Sequence, residues 1–487
     1  MTMQDAHTIK INLPGGIISP GRLLELLTLI QKAKVSDVRF GSRQQLLFQV
    51  PIEDWEFLKQ EFETNQVLFE KDSDNFPNII SSYCAEGVFR TGQWLCESEY
   101  HTVLDGFEHT PALKINLSDS HQSFTPFFTG NLNFIASSEP HFWFLYLRPI
   151  QSNDLFRWPE LIYSADIARL SQALEQVMED SGNCTIQDWH SAVHLHQTFI
   201  TQPAFDEVHL PEFSLPYYEG FNRYGERSWL GLYRRNEWFS IAFLRDLCAL
   251  CVDTRLGELC TTPWKSLIIK GIEEKNRPQW SRILGRHNIN VRHTASELAW
   301  QTDEHCREGI ALKNYIRSYF EKNDTRTFGL CFGIQTRPEA EVFGSVLIRK
   351  RALFSWRGWS LFPVYDLYYT ENFNPNSRVY FLQETGLLKN HLPREVENVC
   401  RRFNAQRQKQ SPVRIRTEAA LSPAPQPMSE VFVCSECLTH YDPAYGDVRA
   451  GIQAGTPFDH LPPAYLCPTC DAPKSAFELL ESTAQLS

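Results

Sequence analysis

The chain has 487 residues, 22% of them charged, and a formal net charge of −11. This length suits about three domains of roughly 150 residues each, and the acidic balance argues against a general nucleic-acid binder, since binding phosphates needs a basic surface. No apolar run approaches the ~18 residues of a membrane helix, and residues 1–10 lack the features of a signal peptide. We therefore expect a cytoplasmic protein with no membrane span and with reduced cysteines.

The first 300 residues contain an internal repeat. Residues 37–48 match residues 258–269 at an offset of 221 positions. In each copy a helix precedes this stretch, two alternating strands joined by a tight turn form it, and another helix follows. The predicted helices are 22–33 and 52–63 in the first copy, and 239–252 and 277–284 in the second. The repeat predicts a pseudo-symmetric body with a cleft between its halves, which is a common place for a ligand.

Several short segments occur in an order that is similar to a known family. They are Lys-Ile-Asn-Leu-Pro-Gly-Gly at 10–16, Leu-Lys-Ile-Asn at 113–116, Asn-Leu-Asn-Phe-Ile-Ala at 131–136 and Tyr-Asp-Leu-Tyr-Tyr at 365–369. Together with the repeat, these segments resemble the sirohaem-dependent nitrite and sulfite reductases across residues 8–405. The resemblance implies an α+β body with duplicated ferredoxin-like halves (1–72 and 206–300), each followed by a sirohaem-domain-like α/β unit (73–205 and 301–408).

The same resemblance implies a basic site for small anions and sirohaem. Position by position, the family's basic residues correspond to Arg43, in Gly-Ser-Arg-Gln, to Arg90, in Val-Phe-Arg-Thr-Gly, and to Lys114, in Lys-Ile-Asn. Sirohaem carries carboxylates and its substrates are small oxyanions, so converging Arg and Lys side chains suit such a cleft. The alternative for each residue is an ordinary surface or salt-bridge cation.

The body departs from the family in its cysteines. The reductases hold a [4Fe–4S] cluster through C-x5-C and C-x3-C motifs, whereas no two cysteines here are six or four positions apart. Cys306 and Cys331 stand near the expected places as single residues, and a cubane needs four thiolates. We expect no [4Fe–4S] cluster and assign no catalytic residue. Cys248 and Cys251 lie in an apolar helical pattern and are predicted to be core residues.

Residues 409–430 separate the body from the end of the chain. This stretch ends in a Pro-rich segment at 422–427, which favours an extended spacer. Basic residues cluster at 401–416, whereas the tail from residue 430 is acidic. The contrast is compatible with electrostatic docking of the tail on its own body or on a partner, or with a merely solvated linker.

Two Cys-x-x-Cys pairs near the end of the chain predict a metal site with four thiolate ligands, Cys434, Cys437, Cys467 and Cys470. Such pairs facing each other form a tetrahedral site for zinc or iron. The Gly, Pro and aromatic pattern between the pairs resembles rubredoxin over residues 431–481, which implies one iron that cycles between Fe³⁺ and Fe²⁺. Rubredoxins usually have Gly after the second and fourth ligands, where their backbone is left-handed, and this chain has Leu438 and Asp471 there. A zinc ribbon is the alternative.

Three functions are compatible with these features. The first is a one-electron carrier that serves assimilatory nitrite, nitrate or sulfite reduction, with an electron donor and a reductase as redox partner proteins and no nucleic acid. The second is a sirohaem-binding oxidoreductase in which the tethered rubredoxin iron replaces the missing cluster. The third is a non-redox, zinc-stapled scaffold or a sirohaem-handling protein. The pathway rests on the family resemblance, not on residue spacing.

Overall fold

The computed structural model describes residues 6–410 and 431–479, apart from 90, 93, 151, 153, 181–185, 305, 338–339, 357–358, 437–438, 448–449 and 454. The chain forms two compact units, Met1–Ser411 and Pro412–Ser487. Within the described ranges, no helix is long and apolar enough to cross a membrane. The α-helices of these ranges are Pro20–Lys32, Ile52–Thr64, Glu97–Asp105, Ile167–Asp180, Ile186–His196, Ile241–Asp253, Arg277–Arg286, Ala295–Leu298, Arg307–Lys322 and Leu392–Gln410.

Two antiparallel sheets of five strands form the duplicated part of the first unit. The first sheet has the strand order Phe239–Ser240, Asp37–Phe40, Leu46–Pro51, Ala6–Ile11 and Glu70–Lys71. The second sheet has the order Gly220–Tyr224, Arg227–Leu232, Leu267–Ile272, Leu259–Thr261 and Ile17–Ile18. Apolar residues of 9–67 and 230–284 share one buried cluster, so the two ferredoxin-like halves have a common core.

The structure confirms the repeat in detail. The helices Pro20–Lys32 and Ile241–Asp253, and the strands Leu46–Pro51 and Leu267–Ile272, have matching bounds at the offset of 221. The backbone conformation of the tight turns matches as well. Each turn has a residue with positive φ, Gln44 at 64° in the first half and Lys265 at 56° in the second. Left-handed backbone is uncommon for residues other than glycine, so its recurrence at equivalent positions indicates the same turn in both halves.

Each half also contributes a short strand to the sheet of the other half. Ile17–Ile18 pairs with Leu259 and Cys260 of the second half. Phe239–Ser240, which precedes the equivalent helix, pairs with Asp37 and Val38 of the first half. This reciprocal exchange closes one edge of each sheet and links the halves through backbone hydrogen bonds.

Two mixed sheets, of seven and five strands, complete the first unit, and in both three parallel strands continue into antiparallel ones. The seven-stranded sheet has the order Thr201–Pro203, Glu160–Tyr163, Phe142–Leu147, Leu132–Ala136, Ile115–Ser118 and Ile80–Ser81, with Phe156–Arg157 beside Phe142–Leu147. The other sheet has the order Trp300–Thr302, Phe332–Gln335, Val346–Trp356, Trp359–Thr370 and Tyr380–Leu387. The predicted α+β class, with two α/β units beside duplicated halves, is therefore confirmed. The individual domain boundaries stay predictions.

The second unit is small and has a core of its own. Its three-stranded sheet has the order His440–Tyr441, Phe432–Cys434 and Phe477–Leu479. Its buried cluster consists of residues from 434 to 477, five of them Tyr, Phe or Leu, together with Cys434 and Cys467. Since backbone pairing is limited, aromatic packing and the cysteine cluster dominate this unit.

Candidate metal centre and anion cluster

Two similar turns present the cysteines of the second unit. The amide N–H of Cys434 donates to the Thr439 carbonyl at 2.9 Å, and the amide N–H of Cys467 donates to the Ala472 carbonyl at 2.8 Å. Each turn thus closes between the first cysteine of a Cys-x-x-Cys pair and the residue five positions later. The equal spacing follows from the motif, because in sequence the second cysteine of each pair falls between the two residues that close the turn.

The cysteine sulfurs of this unit are close enough to share one metal ion. The Sγ atoms of Cys434, Cys467 and Cys470 all lie within 4.8 Å of one another, and those of Cys434 and Cys470 are 3.6 Å apart. Thiolates about 2.3 Å from a tetrahedral metal are about 3.8 Å apart, so the donor set fits such an ion. Cys437, the fourth predicted ligand, lies outside the described residues.

The three described cysteines differ in exposure. Cys434 and Cys467 are 0% exposed, whereas Cys470 is exposed. The thiolate cluster is therefore enclosed on one side and open at Cys470. Solvent exposure and hydrogen bonding at the sulfurs are among the features that set the potential of such a centre.

Asp471 adopts the conformation that the position after the fourth ligand was predicted to need. Its φ is 60°, in the left-handed region, and its N–H donates to the Cys467 carbonyl at 2.9 Å. Asp tolerates this conformation better than most residues other than glycine. Leu438, the other departure from Gly, lies outside the described residues.

Aromatic side chains surround the cysteines. The rings of Phe432 and Phe458 stack with centroids 4.0 Å apart at an angle of 12°. The Tyr465 hydroxyl donates to Asp447 Oδ2 at 3.0 Å, and burial together with this hydrogen bond raises the pKa of Tyr465. The ring therefore stays neutral at ordinary pH, and the apolar packing limits the access of water to two of the sulfurs.

Arg43 contacts the backbone next to Lys114 in the body. Arg43 extends from the tight turn of the first half and donates to the carbonyls of Asn78, at 2.7 Å, and Ile115, at 3.0 Å. Ile115 is the neighbour of Lys114 in sequence. Burial lowers the pKa of Arg43 to about 10, so its guanidinium still carries a positive charge at neutral pH. Arg90 lies outside the described residues.

Two further charged residues, Arg148 and Glu341, form an anion cluster with Arg43 and Lys114, and neither was predicted from the sequence. Lys114 Nζ lies 3.0 Å from Glu341 Oε2, and Arg148 binds both oxygens of Glu341 at 2.6 and 3.0 Å. Burial opposes the ionisation of Glu341, but the hydrogen bond from Arg148 and the charge of Lys114 lower its pKa to about 2. The position of Arg148 directly after a buried strand was the one feature of the sequence that could have indicated its role. The residues around Glu341 gave no such indication.

The cluster fits an anionic ligand in part. Its cations match the carboxylates of a sirohaem or a small oxyanion. However, the Glu341 carboxylate already pairs with Lys114 and Arg148. An external anion would therefore compete with a carboxylate of the same chain for two of the cations.

Cys306 and Cys331 have structural partners. Cys306 precedes the helix Arg307–Lys322, and its Sγ accepts the N–H of Gly309 at 3.2 Å, so it caps the helix. Cys331 is buried and its Sγ accepts the N–H of Ser345 at 3.3 Å. Burial raises the pKa of Cys331 to about 12.

Cys248 and Cys251 are both 0% exposed, which confirms their prediction as core residues.

Two family models match parts of this chain. The rubredoxin model matches residues 431–477, which include all four predicted ligands. The model of the nitrite/sulfite reductase ferredoxin-like half domain matches residues 1–64. The two resemblances predicted from sequence are therefore confirmed at the level of domains.

Known proteins similar to this chain fall into the same two groups. The probable rubredoxin HupI of Bradyrhizobium diazoefficiens is 57% identical over 49 residues, which are 10% of this chain and 71% of that protein. Rubredoxin-1 of Chlorobaculum tepidum is 42% identical over 55 residues, 11% of this chain and 80% of that protein. The anaerobic nitric oxide reductase flavorubredoxin of Klebsiella pneumoniae is 35% identical over 78 residues, 14% of this chain and 16% of that protein.

One solved structure shares the fold of most of the chain. The Mycobacterium tuberculosis NirA protein aligns with a TM-score of 0.60, covering 82% of this chain and 81% of its own. The sequence identity is 13%, so this similarity concerns the fold alone.

Proposed function

Because this chain belongs to the rubredoxin family through residues 431–477, we propose that Cys434, Cys437, Cys467 and Cys470 bind one iron that cycles between Fe³⁺ and Fe²⁺. The observation that carries this proposal is the convergence of three cysteine sulfurs within 4.8 Å on two matching turns. The exposed Cys470 provides an edge through which single electrons reach the iron.

The electrons serve the reductase-like body or a partner of similar chemistry. The ferredoxin-like half domain at 1–64 and the NirA-like fold support a role in nitrite, nitrate or sulfite assimilation. In this proposal the protein works in the cytoplasm, where thiols stay reduced, between an electron donor and a reductase. The acidic tail, which follows a basic stretch of chain, supports electrostatic guidance of these encounters.

A second candidate function is supported by the cluster of Arg43, Lys114 and Arg148. In this alternative the body binds sirohaem through its carboxylates, and the rubredoxin iron donates electrons to it in place of an iron–sulfur cluster. The cations would hold and orient the carboxylates of the macrocycle. Glu341 would have to release Lys114 and Arg148 first, because both cations now bind its carboxylate.

Absorption spectra of the purified, untagged chain test both functions. The first predicts a red protein with thiolate-to-iron charge-transfer bands and one iron per chain, bleached by one electron. Cys470→Ser should abolish the bands, whereas Cys96→Ser, at an exposed cysteine of the body, should leave them unchanged. A colourless protein that contains zinc would contradict electron transfer and favour a zinc-stapled scaffold or a sirohaem-handling protein.

The same spectra address the alternative when sirohaem is added to the iron-loaded chain. Saturable tetrapyrrole bands that disappear in the Arg43→Ala, Lys114→Ala double variant would support sirohaem binding by the body. Glu341→Gln should strengthen this binding, since it removes the competing carboxylate. The matched control is Lys389→Ala, a cation that lies over the Tyr315 ring. An unchanged sirohaem spectrum at all concentrations would exclude this function.

A further inference from the structure

A cluster of two histidines and a glutamate lies in the body at the seven-stranded sheet. His190 and His194 are four positions apart on the helix Ile186–His196, so they lie on the same face. Glu160 begins the strand Glu160–Tyr163. One ligand atom from each of the three residues lies within 4.8 Å of the others.

The distances within this cluster differ from those of ordinary His–carboxylate hydrogen bonds. The Nε2 atoms of His190 and His194 both lie 3.3 Å from the same oxygen, Glu160 Oε2. Elsewhere in this chain, His141 lies 2.8 Å from Glu99. The Nε2 atom of His194 is buried and makes no hydrogen bond. A carboxylate oxygen thus faces two imidazole nitrogens at a distance that suits neither as a strong hydrogen bond.

These separations suit ligands around one metal ion. Imidazole nitrogens and carboxylate oxygens lie about 2.0–2.1 Å from zinc, so neighbouring ligands of a tetrahedral zinc are about 3.3–3.4 Å apart. Both nitrogen–oxygen distances, 3.3 Å, match this ligand–ligand separation. Two imidazoles and one carboxylate are also a donor set that zinc commonly uses, with a fourth position for water.

The surroundings hold the two imidazoles in place. Trp158, 1% exposed, lies two residues before Glu160, and its ring centroid is 4.9 Å from that of His190 and 6.4 Å from that of His194. Phe199 contacts His194 edge-on, with centroids 5.7 Å apart. The three ligand side chains are 27–31% exposed, so the cluster lies near the surface, with the Nε2 atom of His194 on its buried side. Fixed rings lower the entropy that metal binding must overcome.

We propose that Glu160, His190 and His194 bind one divalent zinc ion, independently of the cysteine site. The bound ion joins the helix Ile186–His196 to the strand Glu160–Tyr163 and stabilises the packing of this helix on the body. Water completes the coordination.

Zinc titration of the iron-loaded, untagged chain tests this proposal by isothermal calorimetry. Iron occupies the cysteine site during the titration, so one additional zinc per chain is expected. Loss of an outer-shell partner alone weakens metal sites about 10–100-fold, so loss of a direct ligand in His190→Gln, His194→Gln or Glu160→Gln should weaken binding more. His209→Ala, at an exposed histidine, is the matched control.

Two further measurements distinguish zinc bound here from zinc bound by the cysteines or by another acidic cluster. Cobalt bound here should give weak visible bands of tetrahedral cobalt without thiolate charge transfer, which would appear if it entered the cysteine site. Zinc should slow hydrogen exchange of residues 186–196 in the parent chain but not in Glu160→Gln. Absence of zinc binding would overturn the proposal. It would also be overturned by binding that persists in all three variants, or that is lost only in His101→Gln, within the separate group of Glu97, His101 and Glu258.

Discussion

Glu237 is a buried charge that is stabilised by Lys265 of the second half and by Lys313 of the helix Arg307–Lys322. Its carboxylate lies 3.0 Å from Lys265 Nζ and 3.6 Å from Lys313 Nζ, and all three side chains are 1% exposed. Burial opposes the ionisation of Glu237, but the charges of Lys265 and Lys313 lower its pKa to about 2. Lys265 occupies the turn position that Gln44 has in the first half, so the two halves fill equivalent places with different polar groups.

We predict that Glu237→Gln destabilises the body. The substitution removes the carboxylate nearest to the buried Lys265 and Lys313 and leaves Lys265 with Glu304 at 3.6 Å. Removal of one partner from a buried ion pair costs about 3–5 kcal/mol. Urea unfolding followed by tryptophan fluorescence measures the change in the free energy of unfolding. Glu226→Gln, at an exposed turn, is the control and should have no measurable effect.

The same pair of variants has a defined pH dependence. The pKa of Glu237 is below its usual value of 4.5 in the folded chain, so its contribution is complete above about pH 4.5 and decreases as the pH falls towards 2. The difference in the free energy of unfolding between the parent and Glu237→Gln should therefore be largest at neutral pH and smallest near pH 2. An equal difference at all pH values would contradict this assignment of the charge.

At the scale of elements, the two halves begin their long helices in the same way. The helix Pro20–Lys32 follows Ser19, whose hydroxyl accepts the N–H of Arg22 at 3.2 Å. The helix Ile241–Asp253 follows Ser240, whose hydroxyl accepts the N–H of Phe243 at 3.3 Å. Ser19 directly follows the exchanged strand Ile17–Ile18, and Ser240 is the last residue of the exchanged strand Phe239–Ser240, so both caps lie where these strands end.

We predict that Ser19→Ala and Ser240→Ala each lower the free energy of unfolding of the body by about 1 kcal/mol, the usual cost of losing an N-terminal cap. The equivalent geometry in the two halves implies similar values, which urea unfolding measures. The matched variants Ser19→Thr and Ser240→Thr keep a hydroxyl acceptor and should restore most of the loss. If threonine were no better than alanine at both positions, the caps would not be the cause.

At the scale of the molecule, the chain combines two units with separate cores. Among the residues that the structure describes, the buried cluster of the second unit contains only members from 434 to 477. The apolar clusters of the described part of the body contain no residue beyond 403. The tail from residue 430 contains eight acidic and two basic residues, so it accounts for more than half of the net charge of −11. The boundary between the two hydrophobic cores and the start of the acidic tail therefore lie in the same part of the chain.

We predict that a chain truncated before residue 431 folds. Its urea midpoint should match that of the body in the full chain, because no described core residue of the body is removed. A separate peptide of residues 431–487 should bind one iron. Unfolding curves and iron analysis of both pieces, beside the full chain, test this expectation. An insoluble truncated body would show that the second unit is needed for the core of the first.

The sequence alone determined the features that depend on local spacing. A Cys-x-x-Cys turn closes between its first cysteine and the residue five positions later. The turns at Cys434 and Cys467 can therefore be predicted from neighbouring residues in the sequence. The repeat was equally visible, because an amphipathic helix and alternating strands leave their periods in the sequence. The resemblance to rubredoxin implied a left-handed backbone at Asp471, the position after the fourth ligand.

Only the tertiary structure decided which distant residues meet. The strand Ile17–Ile18 is too short to show a pattern, and its partner strand lies in the other half. Glu341 is 227 positions from Lys114 and 193 from Arg148, so nothing local indicated that it pairs with both. The meeting of Glu160 with His190 and His194 depends likewise on how the helix packs on the sheet. Such contacts arise when complete helices and strands pack together. The hydrophobic periodicity of a single segment does not show which other segment it packs against.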